Sequence, residues 1–226
     1  MTKLDAIKKY AESLSKASKW IHSREQITSI EAIKKDDSKK AYVYEFYCLL
    51  RILDDLKERY DIEITNTSNG SVFPKSPASK KNFPYFIVKE KGKNKVLFEI
   101  CAGVDVKGLA DETSAPDISF QIPQNHFNPT HKEVFMIFDS KFKHSLSAKV
   151  SGSEFNNVAG MIRNLSCENA HTNVIMDFHK NNFKGLKGNC ILTNGRAYKL
   201  NEKHNRLFNV KVVEMFDEGV EHKIIG

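Results

Sequence analysis

The 226-residue sequence has no apolar run long enough to cross a membrane, since a spanning helix needs about 18 consecutive apolar residues. Residues 1–10 are charged and include no apolar segment, which predicts that no secretory signal is present. The phosphate-binding-loop pattern G-x-x-x-x-G-K-[ST] is also missing. These absences predict a protein without membrane association and argue against an NTPase of the phosphate-binding-loop class.

Cysteine is scarce, and its spacing excludes two kinds of site. The four cysteines, Cys48, Cys101, Cys167 and Cys190, are far apart and form no C-x-x-C pair. The eight histidines add no zinc-ligand spacing. The pattern therefore predicts reduced, mostly buried thiols in a cytoplasmic protein rather than a zinc site or a disulfide scaffold.

The composition is that of a globular protein with a basic bias. Apolar residues make up 40% of the chain and charged residues 28%. Lysine and arginine together number 35 against 28 aspartate and glutamate residues, which gives a formal net charge of +7. This excess favours a polyanionic partner, although a positive charge that serves only solubility gives the same count.

Hydrophobic periodicity divides the chain into an N-terminal helical arm, 1–39, and a larger domain, 40–226. The arm is predicted to form two short helices, broken near Ser23, that present a solvated polar face. The longest helical pattern follows it, at 39–60. Glu45 falls inside the apolar stripe of that helix, where a carboxylate is costly unless it has a partner. Glu45 is therefore either a functional carboxylate or a residue at the edge of the stripe that reaches water.

The rest of the domain alternates short apolar strands with one further helix. This order predicts a mixed β-sheet flanked by helices, an α/β or α+β layered fold. Strands are predicted at 61–65, 83–89, 95–101, 116–122, 134–138, 188–193 and 207–216, and a helix at 153–165, with Ser151 or Ser153 as its cap.

Two strand ends bring acidic and basic residues together. Asp117 begins the strand at 116–122, and Asp139 and Lys141 end the next strand. Because strand side chains alternate, Asp139 and Lys141 point to the same face. If the two strands pair in antiparallel fashion, Asp117 lies beside that face. Two carboxylates and one ammonium group would then share a pocket, which suits a hard cation such as Mg²⁺ with a phosphate ester.

These residues resemble those of a known nuclease superfamily. Glu45, Pro116-Asp117 and Asp139-Ser140-Lys141, in this order and on these elements, look like the PD-(D/E)xK nucleases with their restriction-endonuclease-like fold. The local strings are most similar to the nuclease subunit of McrBC-type restriction systems and its relatives. The strings are Tyr44-Glu45-Phe46-Tyr47-Cys48, Ala115-Pro116-Asp117-Ile118 and Ile137-Phe138-Asp139-Ser140-Lys141-Phe142-Lys143.

The resemblance implies a set of roles and partners. It makes Asp117, Asp139 and the carbonyl of Ser140 ligands of Mg²⁺, with Mn²⁺ as a substitute. It makes Lys141 catalytic and assigns Glu45 to the support of the metal site, directly or through water. It also implies DNA rather than RNA as substrate, a homodimer, and a separate NTPase subunit.

Basic residues near these strings are candidates for phosphate contacts. Lys80 and Lys81 in the loop before the second strand, Lys143 after the D-x-K motif, and Arg196 in the C-terminal part are predicted to bind nucleic acid. Taken singly, each of them is also compatible with an ordinary surface charge.

Three functional hypotheses follow. The first is a Mg²⁺-dependent endonuclease, a hydrolase of DNA phosphodiester bonds that acts in restriction or antiviral defence. The second is a catalytically inactive nucleic-acid-binding module on the same fold. The third is an unrelated α/β domain in which Asp139 and Lys141 form an ordinary ion pair, and it requires the carboxyl groups of Asp117 and Asp139 to lie far apart.

Overall fold

The computed structural model describes residues 2–18, 20, 23–34, 39–65, 73–165, 188–197 and 210–220. Four helices lie in these ranges: α1 (Lys3–Ser18), α2 (Ser23–Lys34), α3 (Lys40–Leu56) and α4 (Gly152–Asn164). The strands are β1 (Tyr60–Ile64), β2 (Phe86–Glu90), β3 (Val96–Ala102), β4 (Val106–Lys107), β5 (Thr113–Ser114), β6 (Ile118–Gln121), β7 (Val134–Lys141), β8 (Asn189–Thr193) and β9 (Val210–Val213).

Seven of these strands form one mixed sheet in the order β1-β2-β3-β6-β7-β8-β9. Neighbouring strands are antiparallel from β1 to β7, whereas β7 pairs with β8, and β8 with β9, in parallel. The predicted mixed sheet flanked by helices is confirmed. The short β4–β5 hairpin is an addition, because strands of two residues leave no periodicity in the sequence.

The continuously apolar run of β7 reflects burial on both faces of the sheet. Phe138 belongs to the hydrophobic cluster that includes α3, and Ile137 belongs to a second cluster formed with α4. The start of α4 is fixed by a capping box, in which the Ser151 hydroxyl accepts from the Glu154 N–H and the Glu154 carboxylate accepts from the Ser151 N–H. Ser151, one of the two predicted caps, is therefore the actual cap.

The two predicted N-terminal helices are present, and α1 exposes polar residues such as Lys9 and Lys16 on one face. Ala6, Ile7, Ala11 and Leu14 of α1 are fully buried, and they belong to the same cluster as α3. Trp20 is also buried, with its ring edge-on to three phenylalanine rings. The arm therefore has its predicted solvated face, while the opposite face of α1 is part of the core.

Within the described ranges, no helix combines the length and the apolar character that crossing a membrane requires. Cys48, Cys101 and Cys190 are buried free thiols, as predicted, and Cys167 lies outside the described residues.

Candidate active site

The site lies where the sheet changes from antiparallel to parallel pairing. Because β6 runs against β7 and β8 runs with it, the start of β6 and the ends of β7 and β8 meet at one edge of the sheet. Ile118 pairs with Phe138, so the next step of the same register places Asp117 opposite Asp139. The antiparallel pairing assumed from the sequence is therefore present.

Asp117 is held from both sides by backbone hydrogen bonds. Its carboxylate oxygen Oδ2 accepts from the N–H of Ser140 at 2.6 Å. Its own carbonyl oxygen accepts from the N–H of Gly103 at 3.1 Å. These bonds fix the first predicted carboxylate beside the end of β7, and Ser140 is itself buried there.

Asp139 and Lys141 form an ion pair through Asp139 Oδ2 and Lys141 Nζ. Asp139 is 4% exposed, whereas the Lys141 side chain keeps 26% of its surface exposed. The buried acid is therefore paired directly with a partly open lysine.

Glu45 reaches the same region from α3 and is half-buried. It interacts electrostatically with Asp139 and Lys141, and it lines a cavity next to Asp117. Glu45 therefore fits both of its interpretations. It lines an open cavity, as a residue at the edge of the apolar stripe would, and it lies near the other carboxylates, as a functional carboxylate would.

The three carboxyl groups are all harder to ionise than usual. Burial raises the pKa of Glu45 and of Asp117, and repulsion from neighbouring carboxylates raises both further. Burial also raises the pKa of Asp139, although the Lys141 ammonium offsets part of this effect. For Lys141, burial lowers the pKa, but the carboxylates of Asp139 and Asp117 outweigh it and the net shift is upward. If all three carboxyl groups were ionised, they would outnumber the single Lys141 ammonium, and the raised pKa values reflect this excess.

A cavity of about 240 Å³ opens beside Glu45 and Asp117. Its walls come from α3, from residues 73–77, from the end of β3 and from the segment before β6. They combine mostly apolar side chains with the two carboxylates: Tyr42, Glu45, Phe46, Leu49, Phe73, Pro74, Lys75, Ser76, Pro77, Ala102, Gly103, Ala115 and Asp117.

Two residues that the sequence reasoning did not identify hold the end of β7. The Thr193 hydroxyl donates to the carbonyl of Lys141 at 2.8 Å. The Asn194 side chain donates to the carbonyl of Lys143 at 2.8 Å and accepts from its N–H at 2.6 Å. Both residues are buried. Their role could not be predicted, because the parallel pairing of β8 with β7 leaves no local pattern in the sequence.

Gly195 is required at this turn for steric reasons. A Cβ atom placed there would lie 2.3 Å from the carbonyl oxygen of Ala148 and 2.8 Å from the Lys143 side chain. The turn therefore packs directly under the segment that follows the D-x-K motif, and it supports the position of that segment.

The four predicted phosphate-binding residues have different environments. Lys80 is 1% exposed and pairs with buried Glu99, so the structure gives it an internal role instead of the predicted contact with nucleic acid. Lys143 contacts both carboxylate oxygens of Glu154 at 2.6 Å. Lys81 is exposed, and Arg196 is half-exposed at 3.8 Å from the Glu214 carboxylate.

In the part of the chain that the structure describes, no group of three or more histidine, cysteine, aspartate or glutamate side chains is arranged to hold a metal ion. The set that the resemblance implies has the Asp117 and Asp139 carboxylates and the Ser140 carbonyl, with Glu45 joining directly or through water. Comparison of the chain with known protein families, with curated proteins and with solved structures gave no match.

Proposed function

We propose that the protein is a Mg²⁺-dependent endonuclease that hydrolyses DNA phosphodiester bonds, on a restriction-endonuclease-like core of the PD-(D/E)xK type. One observation carries the proposal: Asp117, Asp139 and Lys141 converge at the edge of the sheet where β7 ends, with Glu45 beside them. The distant carboxyl groups that the ion-pair hypothesis requires are at odds with this register. The ion pair itself is common to both hypotheses.

The residues present fit a hard divalent cation. Asp117 and Asp139, together with the carbonyl of Ser140, would hold Mg²⁺ or Mn²⁺ with oxygen ligands, which these ions prefer. The mutual repulsion of the carboxylates favours an additional cation. Such an ion, when bound, supplies an activated water and offsets negative charge on the phosphoryl group.

Side chains of the protein stabilise charge, orient water and hold the site in position. Lys141, as an ammonium group next to the carboxylates, is placed to stabilise the charge that develops on a phosphate oxygen. Glu45 is placed to orient a water molecule at the cavity side of Asp117. The Ser140 N–H keeps the Asp117 carboxylate in one orientation, and the bond from Thr193 to the Lys141 carbonyl keeps the strand end in place.

The substrate and the biological setting come from the resemblance. Exposed cations such as Lys81 and Arg196 bind DNA phosphates. Lys143 binds one after the phosphate has displaced the Glu154 carboxylate from its ammonium group. Cleavage of both strands takes two sites, which favours a homodimer. The similarity to McrBC-type nuclease subunits favours a role in restriction or antiviral defence, with a separate NTPase subunit as partner.

Plasmid cleavage tests the proposal directly. The parent protein is expected to nick or cut plasmid DNA with Mg²⁺ and to stop when EDTA is added. Asp139→Ala and Lys141→Ala are expected to lower the rate by about 10³-fold or more. Lys9→Ala, an exposed lysine on α1, is the matched control and is expected to keep the parent rate. Cleavage that survives both site substitutions would contradict the proposal, and binding of DNA without cleavage by the parent under any divalent metal would favour the inactive binding module.

A further inference from the structure

Lys143, which follows the D-x-K motif, is fixed along its whole length. Its backbone N–H and carbonyl are both bonded to the Asn194 side chain, at 2.6 and 2.8 Å. Its stem lies over Gly195, where a Cβ atom would come within 2.8 Å of it. Its ammonium contacts both carboxylate oxygens of Glu154 at 2.6 Å, and the side chain is 13% exposed. The ammonium therefore has little rotamer freedom left to lose when an anion binds it.

Glu154 makes two kinds of contact with one carboxylate. Besides its pair with Lys143, its Oε2 accepts from the Ser151 N–H at 2.6 Å, which is half of the capping box of α4. This half of the cap needs an acceptor oxygen and no charge, because glutamine serves at the same position of a capping box. A negative charge at a helix N-terminus adds only modestly to stability. The charge of Glu154 therefore matters mainly for its pair with Lys143.

The Glu154 charge lies close enough to the candidate active site to act on it. It raises the pKa of Asp139 and of Lys141 electrostatically. Burial raises the pKa of Glu154 itself, but the bonds from Lys143 and Ser151 outweigh burial, and the net shift is downward. The carboxylate is therefore ionised at neutral pH, and it adds negative charge where a phosphodiester has to bind.

Displacement of Glu154 from Lys143 requires little rearrangement. The Glu154 side chain is 28% exposed, so its carboxylate can leave the ammonium for water while α4 stays in place. A partly exposed ion pair is also weak, whereas a phosphate oxygen offers Lys143 another charged acceptor. The Glu154 carboxylate and a DNA phosphate are therefore alternative partners of one ammonium group.

We infer that Glu154 is an internal competitor of the DNA backbone, which occupies the Lys143 ammonium in the free protein and gives way to a phosphate near the scissile bond. The inference rests on the proposed nuclease function and adds a regulatory feature to its site. Glu154 lowers the affinity of the protein for DNA, and it does so through Lys143, at a backbone contact beside the D-x-K motif.

Binding of a short DNA duplex, measured by fluorescence anisotropy, tests this inference. Every protein compared carries Lys141→Ala, so that the duplex is bound in Mg²⁺ but not cut. Glu154→Gln keeps the acceptor for the cap and removes the charge, and it is expected to tighten binding about fivefold. Glu31→Gln, which makes the same change in the exposed Lys8–Glu31 pair of α1 and α2, is the matched control and is expected to leave the affinity unchanged.

Two further variants locate the effect. In a Lys143→Met background, Glu154→Gln has no ammonium to release and is expected to leave the affinity unchanged. Ser151→Ala removes the hydroxyl half of the cap but keeps the ion pair, and it is also expected to leave the affinity unchanged.

Three results would overturn the inference and leave the nuclease function standing. The first is an affinity of the Glu154→Gln protein no higher than that of the Glu31→Gln control. The second is an equal gain with and without Lys143, which would indicate general repulsion of DNA by Glu154. The third is an equal gain from Ser151→Ala, which would assign the effect to the helix cap. Absence of DNA binding by the protein without these substitutions would overturn the proposed function together with the inference.

Discussion

Two lysine–carboxylate pairs lie on the same sheet and have opposite surroundings. Lys80 and Glu99 are 2.5 Å apart, and their side chains are 1% and 5% exposed. Gln121 accepts a second bond from Lys80 at 3.3 Å, and the Tyr85 ring lies 4.5 Å from the ammonium. Lys141, in contrast, keeps a quarter of its surface exposed and faces further carboxylates besides Asp139.

The difference separates a structural pair from one for which we propose a function. In the Lys80 pair each charge is enclosed and matched, so that no capacity remains for another ligand. In the Lys141 pair the acids outnumber the cations and a cavity adjoins them, so that an arriving cation stabilises the cluster. The following experiments test whether this contrast holds.

The largest effect is expected for Lys141→Met, which keeps the side-chain length and removes the charge. The cleavage rate is expected to fall about 10³-fold, equivalent to about 4 kcal/mol of transition-state stabilisation. The free energy of unfolding, measured in urea, is expected to fall by about 2 kcal/mol, because the buried Asp139 carboxylate loses its cation. A loss of stability as large as the loss of activity would make Lys141 structural, like Lys80.

The next effect is on stability alone. Lys80→Met leaves the buried Glu99 carboxylate without its cation, which is expected to lower the free energy of unfolding by about 3 kcal/mol. Lys81→Met, at the exposed neighbouring residue, is the matched control and is expected to stay within about 0.5 kcal/mol of the parent.

A double variant checks the cause of that loss. Because Lys80→Met/Glu99→Leu removes both charges, it is expected to recover most of the stability in urea unfolding. A double variant as unstable as Lys80→Met alone would show that packing of the lysine stem, and not the orphaned carboxylate, accounts for the effect.

A smaller effect is expected where Thr193 holds the carbonyl of Lys141. Thr193→Val keeps the shape and removes the hydroxyl, which is expected to lower kcat about tenfold, about 1.4 kcal/mol, with KM little changed. Thr193→Ser restores the hydroxyl and is expected to restore kcat. Equal rates for the valine and serine variants would mean that this bond does not position the strand end.

The smallest effect has the opposite sign, since Asp117→Asn is expected to stabilise the metal-free protein. Burial and then repulsion from Asp139 and Glu45 raise the pKa of Asp117, so the stability it contributes is present below its ordinary pKa and is lost as the pH rises through the raised value. The asparagine variant is therefore expected to gain about 1 kcal/mol at pH 7 and almost nothing near pH 4.

Thermal unfolding across this pH range, with and without Mg²⁺, measures the difference. Added Mg²⁺ is expected to stabilise the parent more than the variant, because only the parent keeps both carboxylates. A variant that is less stable than the parent at pH 7 without metal would show that the Ser140 bond outweighs the repulsion.

Local patterns in the sequence were sufficient to predict α3 and β7 and to narrow the cap of α4 to two serines. These features depend on residues close together in the chain, as with the alternation that puts Asp139 and Lys141 on one face. The burial of Lys80 and the bonds from Asn194 to Lys143 depend on which distant segments pack together. Sequence patterns therefore predict that Lys80, a lysine in a polar loop, is exposed, although it is buried. The roles assigned to Asp117, Asp139 and Glu45 stay predictions, although the structure gathers these residues at one edge.

The contact between Lys143 and Glu154 affects how ionic strength would act on DNA binding. A free cation that meets a phosphate displaces a condensed counterion from the duplex, and each such contact steepens the salt dependence of affinity by about one unit. Lys143 is already neutralised by a carboxylate that also caps α4, so a phosphate must first displace that carboxylate. The slope of log affinity against log salt concentration therefore reflects the number of lysine and arginine side chains that are unpaired before DNA binds. The formal net charge overstates that number.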